Sequence, residues 1–350
     1  MAHSTIARQM PAARRPLRAA VIGVGRMGAN HARVASELPD VELTAVADLD
    51  GDAAREVGRR HGVTAYTSPG DLLARERPEM VVVAVPTEHH VAVATAALRA
   101  GAHVLVEKPI ASEPVAARRL LRVAAAEGRR LVVGHVERFN PAVQELTRRV
   151  RRGEAGRILQ IHTQRFSPPV RVRDAGVLLD LGTHDLDIMR FLTGAEPERV
   201  SAVVRRHAHP RHEDLVVATL LFPDGIIGLL EVNWLSPVKV RHLAVLGARG
   251  MFTVDYLAQE LVFHESVFVA GGWEARDLLS GGGEGRVERI PIAHVEPLRA
   301  EWEAFVRVAR GRVAPVVTGE DALRTLEVAA AIARAAARGT SVTLRGDRAR

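Results

Sequence analysis

Cysteine is absent from the 350 residues of this chain, which excludes both a disulfide framework and a thiolate metal centre. Aromatic residues make up only 4% of it, a poor supply of the stacking platforms that single-strand nucleic-acid binders use. No apolar run approaches the roughly 20 residues needed to cross a bilayer, so the expectation is a cytoplasmic protein with no membrane partner. Lysine is almost missing as well. Of 48 basic residues only Lys108 and Lys239 are lysines; arginine fills the other basic positions. A lysine retained against that bias marks a place where arginine does not serve, because its ammonium is compact and its pKa tunable.

The net charge of +7 comes from arginines scattered among 41 acidic residues. That dispersal argues against a nucleic-acid footprint and fits a small anionic ligand. The first 16 residues are basic, lack a long apolar stretch and read as a disordered tail rather than a transit peptide. Residues 17–136 alternate short β-type runs (17–24, 41–47, 80–85, 103–106 and 131–136) with amphipathic segments (27–38, 90–100 and 114–127). The continuous apolarity of residues 81–85 predicts a strand buried on both faces, as in a parallel sheet covered by helices. The fold class expected here is α/β, a doubly wound parallel sheet.

From residue 137 to 350 the pattern changes to a second, α+β unit with a large, mostly antiparallel open sheet. A strand is expected at 156–166 and a helix at 176–193, ended by Gly194. Two alternating runs, 214–222 and 226–235, flank Pro223-Asp224-Gly225, a hairpin signal. Gly281-Gly282-Gly283 reads as a loop, and helices at 298–310 and 321–338 close the chain.

Gly23-Val24-Gly25-Arg26-Met27-Gly28 follows the first strand and opens a helix, the setting in which G-x-G-x-x-G binds a dinucleotide. The turn, a close backbone approach to pyrophosphate and helix–strand packing each need a glycine, and the helix N-terminus attracts phosphate. Asp48 ends the second strand, where an acid accepts ribose hydroxyls and repels a 2′-phosphate. The expected cofactor is therefore NAD. Pro86, Thr87, His90, Glu107 and Lys108 stand at the ends of later strands, where an open α/β sheet presents its ligand crevice.

Asp180 and His184 stand at i and i+4 of the predicted helix, on one face, in position for the acid to orient an imidazole as general base. With the glycine loop, the Pro86–His90 strand end and Glu107-Lys108-Pro109, this D-x-G-x-H element resembles the Gfo/Idh/MocA family of NAD(P)-dependent sugar and cyclitol oxidoreductases. The resemblance runs from about Arg18 to the last helix. It implies that Lys108, Asp180 and His184 form the catalytic group: His184 takes the hydroxyl proton, Asp180 orients it and Lys108 contacts the reacting hydroxyl. It also implies a Rossmann domain followed by an open-sheet domain used for homodimer or homotetramer assembly.

Residues 134–141 (GHVERFNP), Arg171-Val172-Arg173-Asp174, the Trp234 to Lys239 stretch and Glu296-Pro297-Leu298 are similar to the branch of that family that oxidises the 3-hydroxyl of UDP-N-acetylglucosamine. Gly182-Thr183 departs from that branch and keeps the wider family's form. A nucleotide sugar needs cations for its diphosphate, which makes Arg138, Arg165, Arg171, Arg173 and Lys239, with Asn140, the substrate-binding candidates. The alternatives are an inositol or free-sugar dehydrogenase and, from another class, a non-catalytic NAD- or sugar-sensing regulator. His207, His209 and His212 sit in an arginine-rich connection between strands and read as a hairpin loop, so no metal is expected.

Overall fold

The computed structural model describes residues 15–169, 175–266 and 285–344. Six parallel strands form the first sheet: β1 (Leu17–Ile22), β2 (Val41–Ala47), β3 (Thr64–Tyr66), β4 (Met80–Val83), β5 (His103–Glu107) and β6 (Leu131–Gly134). Their order is β3-β2-β1-β4-β5-β6, the doubly wound arrangement whose strand order reverses between β1 and β4 and opens a crevice there. Helices α1 (Arg26–Glu37), α2 (Gly51–His61), α3 (Pro69–Glu76), α4 (His90–Arg99) and α5 (Pro114–Ala126) supply the crossovers. All of β4 is buried, as its unbroken apolar sequence predicts. The apolar runs expected at 17–24, 80–85 and 131–136 outlast the strands, which end at Ile22, Val83 and Gly134. Beyond β1 and β4 the residues that leave the ladder, Gly23, Ala84 and Val85 among them, line the crevice.

After α6 (Pro141–Arg151) come the second sheet's strands: β7 (Ile158–Phe166), β8 (Arg199–Arg205), β9 (Leu215–Leu221), β10 (Ile227–Asn233), β11 (Val240–Gly247), β12 (Gly250–Asp255), β13 (Glu260–Glu265) and β14 (Val287–Ile290), with a short β15 (Val342–Thr343). The order is β14-β13-β12-β11-β7-β10-β9-β8-β15. Only β7 and β10 pair in parallel; the other pairs are antiparallel. Burial alternates along β8, β9 and β10, so one face is packed and the other open. Val203, Val217 and Ile227 are exposed on the open face. The β9–β10 hairpin turns at Asp224 (φ 60°) and Gly225 (φ 75°), the left-handed pair that such a connection demands.

The packed face is covered by α6, by α7 (Thr183–Thr193) and by the C-terminal half of α9 (Gly319–Arg338), whose Val328, Ile332 and Ala335 join its core. The N-terminal half of α9 instead gives Leu323 and Leu326 to the first sheet's core. Helix α8 (Pro297–Ala309) packs wholly there, with Leu298, Trp302 and Phe305 against β1, β2 and α1 residues. The chain thus returns to its first sheet after β14, before β15 adds the last strand of the second. None of the helices among the described residues is long and apolar enough to cross a membrane.

Helix α7 is entered through a π-helical turn, Leu178–Gly182, and ends at Gly194 (φ 64°) as expected. A π turn inserts an extra residue and breaks the regular ladder, an irregularity frequent at functional sites. Gly182 belongs to that turn, and a Cβ on it would lie 3.0 Å from Leu178 Cδ1, facing Leu230 and Val232 of β10. Its small size lets the widened turn lie against the second sheet.

Candidate active site

The carboxyl ends of β1, β2, β4 and β5 enclose a cavity of about 880 Å³, lined among others by Gly23, Gly25, Met27, Asp48, Pro86, Thr87, His90, Glu107, Lys108 and Asp180. Gly23 adopts φ 88°, and a Cβ on it would lie 2.5 Å from Ala84 O. A Cβ on Gly28 would lie 1.7 Å from Gly23 O, so α1 can approach β1 only with glycine there. Gly25 differs, because a Cβ on it would meet nothing within 4 Å. Packing inside the chain does not require glycine at position 25; an approach from outside does. The first turn of α1 has no side-chain cap, so its amides are left for an anion. The cradle fits a pyrophosphate.

Asp48 is fixed beside that cradle. Its Oδ2 accepts the Val24 N–H at 2.7 Å and its Oδ1 the Asp50 N–H at 2.9 Å, leaving further acceptor sites on the carboxylate. Leu49, next in sequence, is 79% exposed and offers no cation. Arg26 and Met27, the first residues of α1, are exposed, and Met27 lines the cavity.

Two residues expected to touch the cofactor line the cavity and are also bound to protein. His90 is buried, with Nδ1 2.8 Å from Pro109 O and Nε2 2.8 Å from Val85 O, and so ties the end of β4 to that of β5. Glu107 lines the cavity, but its Oε1 lies 2.9 Å from His31 Nε2 and its Oε2 accepts the Lys108 N–H at 3.1 Å. Trp302 of α8 donates its indole N–H to His31 Nδ1 at 3.0 Å. That leaves the Nε2 proton of a neutral His31 to point at Glu107. Burial works to raise the Glu107 pKa, but the His31 hydrogen bond and the Lys108 charge together hold it below the ordinary value. The residue before Lys108 is thereby locked from α1 and α8. Neither His31 nor Trp302 carries a sequence signal for this role.

Lys108 reaches out of the first sheet to the π turn. Its Nζ donates to Asp180 O at 2.6 Å and to Asp180 Oδ1 at 3.0 Å. This corrects one expectation. Asp180 spends its charge on Lys108, and no hydrogen bond joins it to His184. The His184 Nδ1 is buried and has no partner among the described residues. The spacing of four residues does not decide which partner the acid takes, and an ammonium within reach outcompetes a neutral imidazole for a carboxylate. Burial first, then the charges of Lys108 and Arg165, push His184 well below the usual histidine pKa. His184 therefore stands as a neutral base beside a cation. His135, just after β6, is buried and also held below its ordinary pKa, chiefly by burial, with the charges of Arg138 and Lys108 adding to it against Asp187.

The substrate-binding candidates divide. Arg138 is buried and forks onto Asp187, with Nε and one terminal nitrogen each 2.7 Å from a carboxylate oxygen. Arg165 forks onto Asp185 at 2.9 Å twice and adds Glu137 at 2.8 Å. Asn140 caps α6 through the Ala142 N–H at 3.1 Å and donates to Tyr256 O at 3.1 Å. Buried charges and amides must be paired, and each of these three has its partner within the chain. Lys239 is exposed, its pKa lowered by partial burial and by the charges of Arg241 and Arg26. Arg171 and Arg173 lie outside the described residues, as do Gly281, Gly282 and Gly283. The histidine connection between β8 and β9 is organised by Asp214, whose carboxylate accepts the N–H groups of His207, Ala208 and His209. Among the described residues no cluster is arranged to hold a metal ion.

Residues 17–135 match an oxidoreductase family with an NAD-binding Rossmann fold, GFO_IDH_MocA. Residues 143–253 match the GFO/IDH/MocA C-terminal domain. The chain is 30% identical over 291 residues to UDP-N-acetylglucosamine 3-dehydrogenase of Acidithiobacillus ferrooxidans, covering 83% of this chain and 88% of the relative. A solved structure of that enzyme matches with a TM-score of 0.79 at 29% identity, covering 91% of this chain and 97% of the other. The scyllo-inositol 2-dehydrogenase (NAD(+)) of Bacillus subtilis is 27% identical, covering 94% of this chain and 96% of the relative.

Proposed function

The chain belongs to the Gfo/Idh/MocA oxidoreductase family, and from that premise we propose that it oxidises the 3-hydroxyl of UDP-N-acetylglucosamine, or of a close nucleotide-linked sugar, to the ketone. It is an NAD-dependent oxidoreductase of the sugar and polyol dehydrogenase kind, acting on CH–OH groups. The observation that carries the site assignment is the junction at Lys108. Its ammonium spans from the cofactor crevice to Asp180 at 2.6 and 3.0 Å, in the charge neighbourhood of His184. NAD, when bound, supplies the hydride acceptor. On this reading His184 receives the hydroxyl proton as the C–H bond breaks, Lys108 stabilises the developing alkoxide, and Asp180 positions Lys108 rather than His184. Residues 17–136 form the cofactor half, residues 137–350 most of the substrate half, and the open face of the second sheet pairs copies into a dimer or tetramer.

A second reading, an inositol dehydrogenase, is favoured by one observation. Arg138 and Arg165, which a diphosphate would need, are already paired inside the protein. NADH formation measured against UDP-sugars, free hexoses and inositols decides. A kcat/KM for UDP-N-acetylglucosamine well above that for every inositol is expected, and the reverse order sinks the nucleotide-sugar reading.

Cofactor choice rests on Asp48. A carboxylate fixed at the ribose position accepts hydroxyl hydrogens and repels a 2′-phosphate. Charge-assisted hydrogen bonds of about 1.5–3 kcal/mol imply that Asp48→Ser shifts the NAD-to-NADP ratio of kcat/KM about ten- to hundredfold toward NADP. A wild-type enzyme using NADP as well as NAD would overturn the assignment.

A further inference from the structure

Four arginines are buried among the described residues: Arg138, Arg165, Arg190 and Arg241. Three of them lie against carboxylates, Arg138 on Asp187, Arg165 on Asp185 and Arg190 on Glu196. Arg241 does not. One of its terminal nitrogens donates to the Phe166 and Val240 carbonyls, and the other donates to Ser167 Oγ at 2.7 Å. A guanidinium has five N–H groups; three are used here, and the Nε–H and one terminal N–H are uncommitted among the described residues. A cation taken out of water without a carboxylate beside it is costly, and the other buried arginines avoid that cost.

The place of Arg241 narrows its purpose. It stands at the start of β11, directly across from Arg165 on β7, two residues after the exposed Lys239. Its charge acts on His184, and the Asp180 charge acts on it. Burial, then the Arg165 charge, push its own pKa down to about 10. The Asp185 and Glu137 carboxylates also act on it, but both already hydrogen-bond Arg165, so Arg241 stands beside the Asp185–Arg165 pair next to His184 with no carboxylate of its own, and the exposed Lys239 adds a second positive charge. A neutral polyol bound there would offer no charge to the two uncommitted N–H groups of Arg241 or to Lys239. An oxyanion would answer them, since a guanidinium fork matches two oxygens of a carboxylate or phosphate.

We propose that Arg241 is the anion-receiving residue of the substrate site, its free N–H groups taking the oxygens of a phosphate or carboxylate carried by the sugar, with Lys239 as the outer cation. The inference rests on the reading that an alcohol is oxidised beside Lys108 and His184, and it adds the charge class of that alcohol. Two sources share the chemistry: the diphosphate of a nucleotide sugar and a carboxylate on the sugar itself.

The test uses the full chain with NAD, comparing wild type, Arg241→Gln and Arg241→Lys on UDP-N-acetylglucosamine, its 6-carboxylate form, N-acetylglucosamine and myo-inositol. Loss of a charged hydrogen bond predicts a rise of about ten- to hundredfold in the KM ratio of charged to uncharged substrate for Arg241→Gln, with partial recovery in Arg241→Lys. Calorimetric titration of UDP into the NADH-loaded protein separates the sources. A weakened UDP affinity in Arg241→Gln identifies the diphosphate; an unchanged one, with the loss confined to the 6-carboxylate sugar, identifies the carboxylate. Equal losses on charged and uncharged substrates, or a lowered Tm with no change in the ratio, would overturn the proposal and leave Arg241 as a strut for Phe166 and Ser167. If wild type ignores nucleotide sugars and oxidises inositols, the nucleotide-sugar reading fails on its own. Arg241 is then judged by the same ratio for myo-inositol against an inositol monophosphate, where no change overturns it.

Discussion

His184→Ala should lower kcat by about two to four orders of magnitude, the usual contribution of a positioned general base, while NAD affinity hardly moves. The side chain is suited to that work because burial, Lys108 and Arg165 keep it well below the ordinary histidine pKa. A base with a depressed pKa stays neutral, and so active, to lower pH than an exposed histidine. The acidic limb of the kcat profile should accordingly lie below the normal histidine range. Neutralising the neighbouring cation, as in Lys108→Met, removes the second cause of the depression and should move the residual activity's acidic limb upward. Single-turnover NADH formation across pH, on wild type and both variants, reads the two effects separately. A His184→Ala enzyme within tenfold of wild type would remove His184 from the base role. A limb that shifts downward in Lys108→Met would contradict the assigned electrostatics.

The parts of this site legible in the sequence are those fixed by local backbone demands. The glycines at 23, 25 and 28, the acid closing β2 and the rare lysine closing β5 are each read from a few neighbours, because the turn and the two strand ends are local structures. The long-range partnerships are not legible. Arg138 and Arg165 look like free cations in an arginine-rich chain until Asp187, Asp185 and Glu137 are seen across from them. The lock behind Lys108 joins Trp302 to His31 across 271 positions, beyond any motif. Asp180 and His184 keep the same spacing in an α-helical or a π-helical turn, so the widening at Leu178–Gly182 leaves no periodic trace. Helices α8 and α9 read as amphipathic either way; an apolar face does not say which sheet it will cover, and α8 packs on the first while α9 is shared between the two. Arg241 was hidden for the opposite reason. What distinguishes it is a missing carboxylate, which becomes visible only when the other buried arginines among the described residues are each seen to lie on one.

Lys108→Arg should be nearly as damaging as the loss of His184, although the charge is kept. The lysine ammonium sits between Asp180 O at 2.6 Å and Asp180 Oδ1 at 3.0 Å, with its side chain only 15% exposed. An arginine side chain is longer and ends in a planar fork with fixed donor directions. It reaches the same acid only by displacing the π turn or by swinging into the crevice. Either movement misplaces the donor meant for the substrate hydroxyl by an ångström or more, and such displacements cost about a hundredfold. The locked backbone on the other side gives no relief, because the Lys108 N–H is held at 3.1 Å by Glu107, itself held at 2.9 Å by His31. The expected result is a fall in kcat of about a hundredfold or more, NAD affinity near that of wild type, and an unchanged thermal midpoint, since the ion pair with Asp180 can re-form in a shifted place. Turnover within a few-fold of wild type would show that position 108 needs charge alone. The near-absence of lysine elsewhere in the chain would then carry no message about this residue.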